Sequence, residues 1–392
     1  MKETNLNISV VASTNPDKGF PEFENLSDKY TYFGGLAAGI CYMTGSFDDL
    51  KAKPQDITLR RAEMTLSGGH HSVFGHCFVS LYLENIPKLF AMLLNNEKAY
   101  VTSEKSARYT KMVASATETK LYNKWIEIFK NKIAEKYGNE KYFDEKRIFK
   151  LAQENARYLL SVYTPTNMLY TVSYRQLNYM YGWLKRNEKT NELIDQLQPW
   201  VNDFCSQLED LGLINEKLAN DQKNRNFSLF SNKAGEKVFT KNVYSTNYLG
   251  SFAELAQAQR HRTINYTMNY IDDEEFYIPK IIRDDKTYAD EWACDMICVK
   301  SLVPQGKMIT ITETGTPEDL ILKAKERLCT CAQLEINDQT KQTIEEYIQN
   351  CKDEETVDYL KKYNNGARCT FPDYTCPTPC AFKDGVNLDR SI

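Results

Sequence analysis

Residues 157–184, RYLLSVYTPTNMLYTVSYRQLNYMYGWL, and residues 300–327, KSLVPQGKMITITETGTPEDLILKAKER, decide how this chain is organised. Each stretch begins with a basic residue, continues through a strand-like run, and ends in a pattern typical of a helix. A similar helical pattern precedes each stretch, KLFAMLLNNEK at 88–98 and FAELAQAQRHR at 252–262. A block that recurs after a similar helix indicates two related modules.

The segment 186–240 is polar and favours a link between the halves. We therefore expect an α+β protein of two tandem modules, residues 1–220 and 221–392, in which strands pack against long helices.

The composition excludes several classes of protein. The 392 residues include 49 Lys and Arg against 53 Asp and Glu, a net charge of −4, so a nucleic-acid binder that relies on a large positive field is not expected. No apolar run approaches the ~18 residues of a membrane helix, and no signal peptide is recognisable. The 11 cysteines are too sparse for a disulfide scaffold. We expect reduced thiols, a cytoplasmic location, and neither membrane nor nucleic-acid partners.

Short polar motifs are divided between the halves. The first half contains HHSVFGH at 70–76 and SEKSARY at 103–109; the second contains QAQRHR at 257–262 and RLCTCAQLEI at 327–336. In order and spacing these motifs resemble those of the flavin-dependent thymidylate synthases, the ThyX family. That family carries H-x-[ST]-x-F-E-H, Q-x-x-R-H-R, S-x-N-E-x-S-x-R-Y and A-Q-W-E-I blocks.

Each half departs from the family pattern where the other half keeps it. The first half has Asn96-Glu97-Lys98 in place of Arg-His-Arg, and the second has Met268, Tyr270 and Asp272 in place of Glu-x-Ser-x-Arg. The family's active site takes these pieces from different subunits. The resemblance therefore implies that the chain is a fused pair of specialised modules. Two such chains would form a homodimer with the four modules of a family tetramer. The site would be of one kind, composed of residues from both modules, and it could form within one chain (in cis) or between two chains (in trans).

The resemblance implies reductive methylation of dUMP to dTMP. Methylenetetrahydrofolate would give the carbon, NADPH the electrons, and FAD would carry the chemistry, while the protein orients the reactants and stabilises charge. Two alternatives stay open: transfer of a hydroxymethyl group to the same nucleotide, and a non-catalytic nucleotide-binding homologue.

The basic motif of the second half is the main candidate for flavin contact. Gln257, Arg260 and His261 are spaced i, i+3 and i+4, so they share one face of a helix. The resemblance assigns the flavin to Arg260, His261 and Arg262 of this motif. It also assigns the flavin to His70 and Ser72 of the first half, where Gly75 replaces the family's Glu. Arg-His-Arg alone would equally suit a solvated helix end.

The resemblance assigns dUMP to six residues: Glu104, Ser106, Arg108, Arg157, Gln257 and Arg327. The Ser106 hydroxyl and the Arg108 guanidinium would meet the phosphate. Gln257 would pair with the uracil edge, and Arg327 would join Arg260 and His261 in the catalytic set. An Arg aimed at a uracil carbonyl would stabilise the enolate. The alternatives are a helix-surface ion pair of Glu104 with Arg108, and a packed ion pair for Arg157.

The C-terminal region is rich in cysteine. Cys369, Cys376 and Cys380 could join Cys329 or Cys331 to give four thiolates, the set that tetrahedral zinc favours. We expect the set with Cys329; the alternative is unrelated free thiols.

Overall fold

A computed structural model describes residues 4–16, 20–106, 108, 110, 112–140, 143–186, 192–220, 227–231, 235–376 and 390–392. The chain groups into two compact units. Unit 1 comprises Met1–Lys105 and Pro165–Phe227, and unit 2 comprises Ser106–Thr164 and Ser228–Ile392.

The strands are short and the helices outnumber them. The strands are β1 (Asn7–Ser13), β2 (Phe78–Pro87), β3 (Tyr100–Glu104), β4 (Pro165–Ser173), β5 (Val238–Phe239), β6 (Tyr244–Ser251), β7 (Asn265–Asn269) and β8 (Met308–Gly315). The helices are α1 (Leu26–Ile40), α2 (Phe47–Lys51), α3 (Gln55–Ser67), α4 (Lys88–Leu94), α5 (Ala116–Tyr137), α6 (Glu145–Ala156), α7 (Tyr174–Lys185), α8 (Glu192–Asp210), α9 (Glu216–Ala219), α10 (Phe252–Ala258), α11 (Lys280–Arg283), α12 (Lys286–Cys298), α13 (Pro317–Arg327), α14 (Leu334–Asn350) and α15 (Glu354–Lys361).

Each unit contains one four-stranded antiparallel sheet. The strand order is β1-β2-β4-β3 in unit 1 and β5-β6-β8-β7 in unit 2, so the two orders are the same. A helix follows the second strand of each sheet (α4 and α10), and another follows the last strand in sequence (α7 and α13). The predicted α+β class is confirmed. The tandem-module interpretation stays a prediction, and the equal strand orders agree with it.

The segment 106–164 departs from the expected division at residue 220, because it groups with unit 2. The reason lies in the apolar faces of α5 and α6. They bury their side chains in one core with residues of α11 and α12, and the rings of Trp125 and Trp292 meet edge to face at 4.8 Å. Burial of large aromatic side chains dominates core energetics, so this segment packs with the second half of the chain.

The sequence pattern over 337–364 predicts one final helix, but the structure has two helices there. Helix α14 ends at Asn350, since Cys351 has an extended backbone, and the side chain of Asp353 caps the start of α15. Among the residues that the structure describes, no helix has the length and apolar character needed to cross a membrane.

Helices α1 and α3 approach each other closely at a glycine. A Cβ atom on Gly35 would lie 2.4 Å from the backbone oxygen of Thr58 and 3.0 Å from Cβ of Ala62. Gly35→Ala should therefore push α3 away and cost ~1–3 kcal/mol of unfolding free energy. Thermal denaturation measures this loss. Gly75→Ala is the control, because its nearest neighbour would be Arg175 Nε at 3.9 Å; equal melting temperatures for both variants would contradict the prediction.

Candidate functional site

The basic motif of the second half lies at the end of α10. The helix begins at Ser251, whose side chain caps it, and ends at Ala258, after which the backbone N–H of His261 donates to the Ala258 carbonyl at 2.9 Å. Arg260 is half-buried and His261 is buried, with 8% of its surface exposed. The shared helical face predicted for Gln257, Arg260 and His261 is thus cut short by the helix end. The motif lies at a helix end, as the sequence suggests. His261, however, is buried in the interior and is not solvated.

Arg327, in the last turn of α13, is held against this motif. Its Nε donates to His261 Nε2 at 2.7 Å, and its Nη2 donates to the Gln257 carbonyl at 3.1 Å. The side-chain amide of Asn337 on α14 donates to the Arg327 carbonyl at 2.8 Å. The hydrogen bonds to His261 and to the Gln257 carbonyl therefore fix the direction of the guanidinium group, while Asn337 holds the backbone of Arg327.

The His261 imidazole is a neutral acceptor. Burial, followed by the positive charges of Arg327 and Lys323, lowers the pKa of His261 to about 2. Because Nε2 accepts from Arg327, the ring proton is on Nδ1. His261 consequently positions Arg327 and carries no charge at neutral pH.

This lowered pKa predicts an acid sensitivity of folding. An unfolded His binds a proton below pH ~6.5 whereas folded His261 does not until about pH 2, so its contribution to stability is complete above pH ~6.5 and falls as the pH falls. When the pH falls from 6.5 to 4.5, the free energy of unfolding of the wild type should decrease by roughly 2.5 kcal/mol more than that of the His261→Gln variant. The size follows because one pKa unit is worth ~1.4 kcal/mol. Urea unfolding at both pH values measures it. Parallel losses in the two proteins would refute a neutral buried His261.

Arg157 and Gln257 meet through a third side chain, Gln333. Arg157 Nη2 donates to Gln333 Oε1, and Gln257 Nε2 donates to the same oxygen at 2.7 Å. Gln333 Nε2 donates to the Tyr158 hydroxyl at 2.5 Å. Arg157 is only 4% exposed, and it also donates to the Ala253 carbonyl at 3.3 Å. The ion pair considered for Arg157 is replaced by hydrogen bonds to an amide and a carbonyl.

Two buried atoms of this network have no hydrogen-bond partner within the described part of the chain. They are the donor Arg157 Nε and the acceptor Gln257 Oε1. Buried polar atoms normally find partners, so the pair indicates where a ligand with one acceptor and one donor would bind. The edge of a uracil ring offers that combination.

Arg108 belongs to unit 2 as well. Its Nε donates to Glu154 Oε2 at 2.9 Å and its Nη2 donates to the Cys331 carbonyl at 2.9 Å. The Ser106 hydroxyl accepts from the backbone N–H of Arg108 at 3.3 Å. The sequence-predicted phosphate residues Ser106 and Arg108 are therefore adjacent, and Glu154 orients the guanidinium.

Glu104 is placed differently from the prediction. It ends strand β3, which pairs with β4, so the helix-surface ion pair with Arg108 does not form. Its buried carboxylate accepts from Lys88 Nζ and from Asn95 Nδ2 at 3.3 Å, all within unit 1. These contacts hold the Glu104 carboxylate within unit 1, and the dUMP contact that the resemblance assigns to Glu104 stays a prediction.

Positive charge is concentrated in this part of unit 2. Burial first, and then the charge of Arg108, lower the pKa values of both Arg157 and Arg327. Arg260 also lowers the pKa of Arg327. Arginine is protonated at any physiological pH, so four neighbouring guanidinium groups favour a bound anion.

His70 and Ser72, the other predicted flavin residues, are exposed in unit 1. They line an open cleft of about 910 Å³ that α1 and α3 border. The neighbouring His71 is buried: its Nε2 donates to the Leu66 carbonyl at 2.9 Å, so its Nδ1 accepts from the Tyr179 hydroxyl at 3.1 Å. His71 is therefore structural.

The predicted zinc ligands are only partly described, because Cys380 lies outside the described residues. Over the ranges that the structure describes, no three His, Cys, Asp or Glu side chains are grouped as a metal site would require. A hydrogen bond from Cys329 lowers the pKa of Cys331 to about 5. Cys329, Cys369 and Cys376, all within the described residues, do not form a metal site by themselves. Zinc binding stays a prediction.

Sequence reasoning missed Glu154, Tyr158 and Gln333. Gln333 lies inside the motif over 327–336, directly before α14. Its place in that motif was the one feature of the sequence that could have identified it as a site residue. Nothing in the sequence singled out Glu154, whose carboxylate reaches Arg108 from the last turn of α6.

Comparisons with known proteins give one family match and distant structural similarity. Residues 35–196 match the family model of the thymidylate synthase complementing protein, Thy1. No curated protein matches the chain. A UMP/dUMP methylase PolB from Streptomyces cacaoi, bound with 5-Br dUMP, is 12% identical with a TM-score of 0.33, over 55% of this chain and 94% of that one. A thymidylate synthase X from Helicobacter pylori, with FAD and dUMP, is 14% identical with a TM-score of 0.31, over 55% of this chain and 100% of that one.

Proposed function

We propose that the chain, whose residues 35–196 match the family model of the thymidylate synthase complementing protein, is a flavin-dependent thymidylate synthase that methylates dUMP to dTMP. The observation that supports this most is the content of unit 2. Arg108 and Arg157, from the matched segment, lie there with Gln257, His261 and Arg327, from outside it.

In this proposal the nucleotide is held at two ends. Arg108 and the Ser106 hydroxyl bind the phosphate, in an orientation that Glu154 fixes through the ion pair with Arg108. Arg157 Nε and Gln257 Oε1, the two unpartnered buried atoms, bind the uracil edge. Hydrogen bonding to buried groups discriminates strongly, because an analogue that lacks a matching atom leaves them unpaired.

Arg327 supplies charge stabilisation. When C5 of the uracil ring becomes nucleophilic, negative charge develops on a ring carbonyl oxygen, and a guanidinium group aimed at that oxygen stabilises it. The hydrogen bonds to His261 and to the Gln257 carbonyl hold Arg327 before the reaction begins, so little reorganisation is required. His261 acts here as a positioning residue in its neutral form.

We assign FAD to Arg260 and Arg262 in unit 2, and the flavin contact that the resemblance gives to His70 and Ser72 stays a separate prediction. The half-buried guanidinium groups suit phosphate, and the exposed His70 and Ser72 suit a ligand that approaches from solvent. When bound, FAD would supply the redox chemistry, with NADPH as reductant and methylenetetrahydrofolate as carbon donor.

The decisive experiment is a product assay on the purified chain. Incubation with dUMP, methylenetetrahydrofolate and NADPH should give dTMP by mass spectrometry, from protein whose absorbance spectrum shows a flavin band. A product heavier than dTMP by one oxygen would identify the hydroxymethyl transferase instead. Binding of dUMP without flavin or turnover would identify a non-catalytic homologue, the alternative that the replacement of a family Glu by Gly75 favours.

A further inference from the structure

Residues 390–392 are anchored on the core of unit 2. Ser391 and Ile392 are only 5% and 4% exposed, and Ile392 belongs to the apolar core that α5, α6, α11 and α12 form. The backbone N–H of Ser391 donates to the Tyr137 hydroxyl at 2.9 Å, and Lys280 Nζ donates to the Arg390 carbonyl at 2.9 Å. Apolar burial and these hydrogen bonds therefore fix the backbone from which the Arg390 side chain extends.

The Arg390 guanidinium holds the loop that joins the end of α13 to the start of α14. Its Nη2 donates to the Ala332 carbonyl, and its Nε donates to the Ile392 carbonyl at 2.7 Å. The preceding carbonyl of the loop, that of Cys331, accepts from Arg108. Two arginines thus hold consecutive carbonyls through charge-assisted hydrogen bonds, which are roughly twice as strong as neutral ones.

Glu154 links the two arginines electrostatically. Its carboxylate forms an ion pair with Arg108 at 2.8 Å. Burial lowers the pKa of Arg390, and the negative charge of Glu154 is the largest effect that opposes this change. Arg390 therefore belongs to the same charge network as Arg108, the residue that we assign to the nucleotide phosphate.

Gln333 follows Ala332 directly, and its amide decides which atom Gln257 presents to a ligand. Gln333 Oε1 accepts from Gln257 Nε2 at 2.7 Å, which leaves the acceptor Gln257 Oε1 as the atom without a partner among the described residues. Gln333 Nε2 donates to the Tyr158 hydroxyl at 2.5 Å, so the Gln333 amide cannot turn over without losing both contacts. An acceptor at this place matches the N3–H of uracil, whereas N3 of cytosine is itself an acceptor.

We propose that Arg390 is a positioning residue of the nucleotide site, which acts through the Ala332 carbonyl on Gln333 and so sets a preference for uracil over cytosine. The inference rests on the proposed function, because it takes dUMP as the nucleotide that Gln257 and Arg157 bind. Arg390 belongs to no motif of the family resemblance. It acts on the amide orientation of Gln257 through the loop.

Isothermal titration of the full-length chain with dUMP and with dCMP tests this role. In Arg390→Ala the loop is held less firmly and the Gln257 amide can turn over. The ratio of the dUMP affinity to the dCMP affinity should then fall about 10-fold or more, the size expected for one mismatched buried polar group. Arg390→Lys keeps a cation that can donate to one carbonyl, so it should retain part of the preference. A loss of stability alone would weaken both nucleotides alike and leave the ratio unchanged.

Arg283→Ala is the matched control. Arg283 is an exposed arginine of unit 2 that also donates to a backbone carbonyl, that of Ile278, and its loss should leave the ratio at the wild-type value. If Arg390→Ala fails to fold, Tyr137→Phe takes its place. This variant removes the hydroxyl that accepts from Ser391, loosens the anchor of Arg390, and should lower the ratio several-fold.

An unchanged ratio in folded Arg390→Ala, or in Tyr137→Phe where that variant replaces it, would overturn the inference. A wild type that binds dUMP and dCMP equally, or binds neither, would also overturn it, because there would be no preference to set. Failure of the proposed function is distinguishable from both. A wild type that binds dUMP without forming dTMP would refute the synthase, while a lower ratio in Arg390→Ala would still support the role of Arg390.

Discussion

Arg327→Ala is expected to lower kcat/KM for dTMP formation by roughly 10²- to 10³-fold, the loss typical of one preorganised charge-stabilising donor. The expectation follows from the fixed direction of the Arg327 guanidinium between His261 Nε2 and the Gln257 carbonyl. Steady-state kinetics with varied dUMP would measure it. Because the contact strengthens as charge develops, the loss should be in kcat more than in KM.

Two further variants make this experiment specific. Arg327→Lys keeps the charge but loses the fork that reaches both acceptors, so its activity should be intermediate. Lys325→Ala, on the same helix, removes a surface ion pair with Asp373 and a cation–π contact with Tyr363, and it should be close to wild type. An Arg327→Ala enzyme that folds and works within threefold of wild type would remove Arg327 from the mechanism.

Mixing Arg108→Ala chains with Arg260→Ala chains should restore no activity. Unit 2 of a single chain contains both arginines, and the charge of each lowers the pKa of Arg327, so the structure favours a site formed in cis. Each single variant should first lose about 10- to 150-fold in kcat/KM, the equivalent of ~1.5–3 kcal/mol for a charge-assisted contact.

The oligomeric state must be measured alongside, by sedimentation. In mixed homodimers a site formed in trans would regain up to roughly half of the wild-type activity per dimer, and that outcome would refute the cis arrangement. Full activity in either single variant would instead refute the role given to that arginine.

Periodicity predicted most of the helices and strands but not how they associate. Apolar alternation over 73–83 predicts a strand, and β2 forms there. The strand-then-helix pattern of each recurring block also matches β4–α7 and β8–α13, while the duplication itself stays a prediction. Helical spacing over 88–110 predicts a helix that continues past residue 98, yet β3 forms there because β4 offers it a full set of backbone partners. Tertiary pairing of this kind overrides local propensity. An apolar face on α5 likewise shows that a partner exists without identifying it.

Motif reasoning named the arginines of the candidate site together with Gln257 and His261, and it missed the residues that orient them. Arg108, Arg157, Gln257, His261 and Arg327 were all named from the sequence, and all five belong to unit 2. Orienting partners such as Glu154 and Gln333 depend on which helices meet, which one sequence does not show. Burial lowers the pKa of His261, so that the imidazole is neutral. The sequence did not predict this, because a spacing pattern does not show that a basic motif lies in the interior.

The packing of 106–164 with the second half also sets an order of events during synthesis. Trp125 Nε1 donates to Asp295 Oδ2 at 2.8 Å, across a sequence separation of 170 residues. At ~5–20 residues per second, a ribosome needs roughly 9 to 34 s between these two residues. Throughout that interval the nascent chain carries an unpaired apolar surface on α5. The helix α5 therefore cannot complete its packing until the C-terminal part of the chain has been synthesised. During this delay its exposed apolar surface would be a binding site for chaperones.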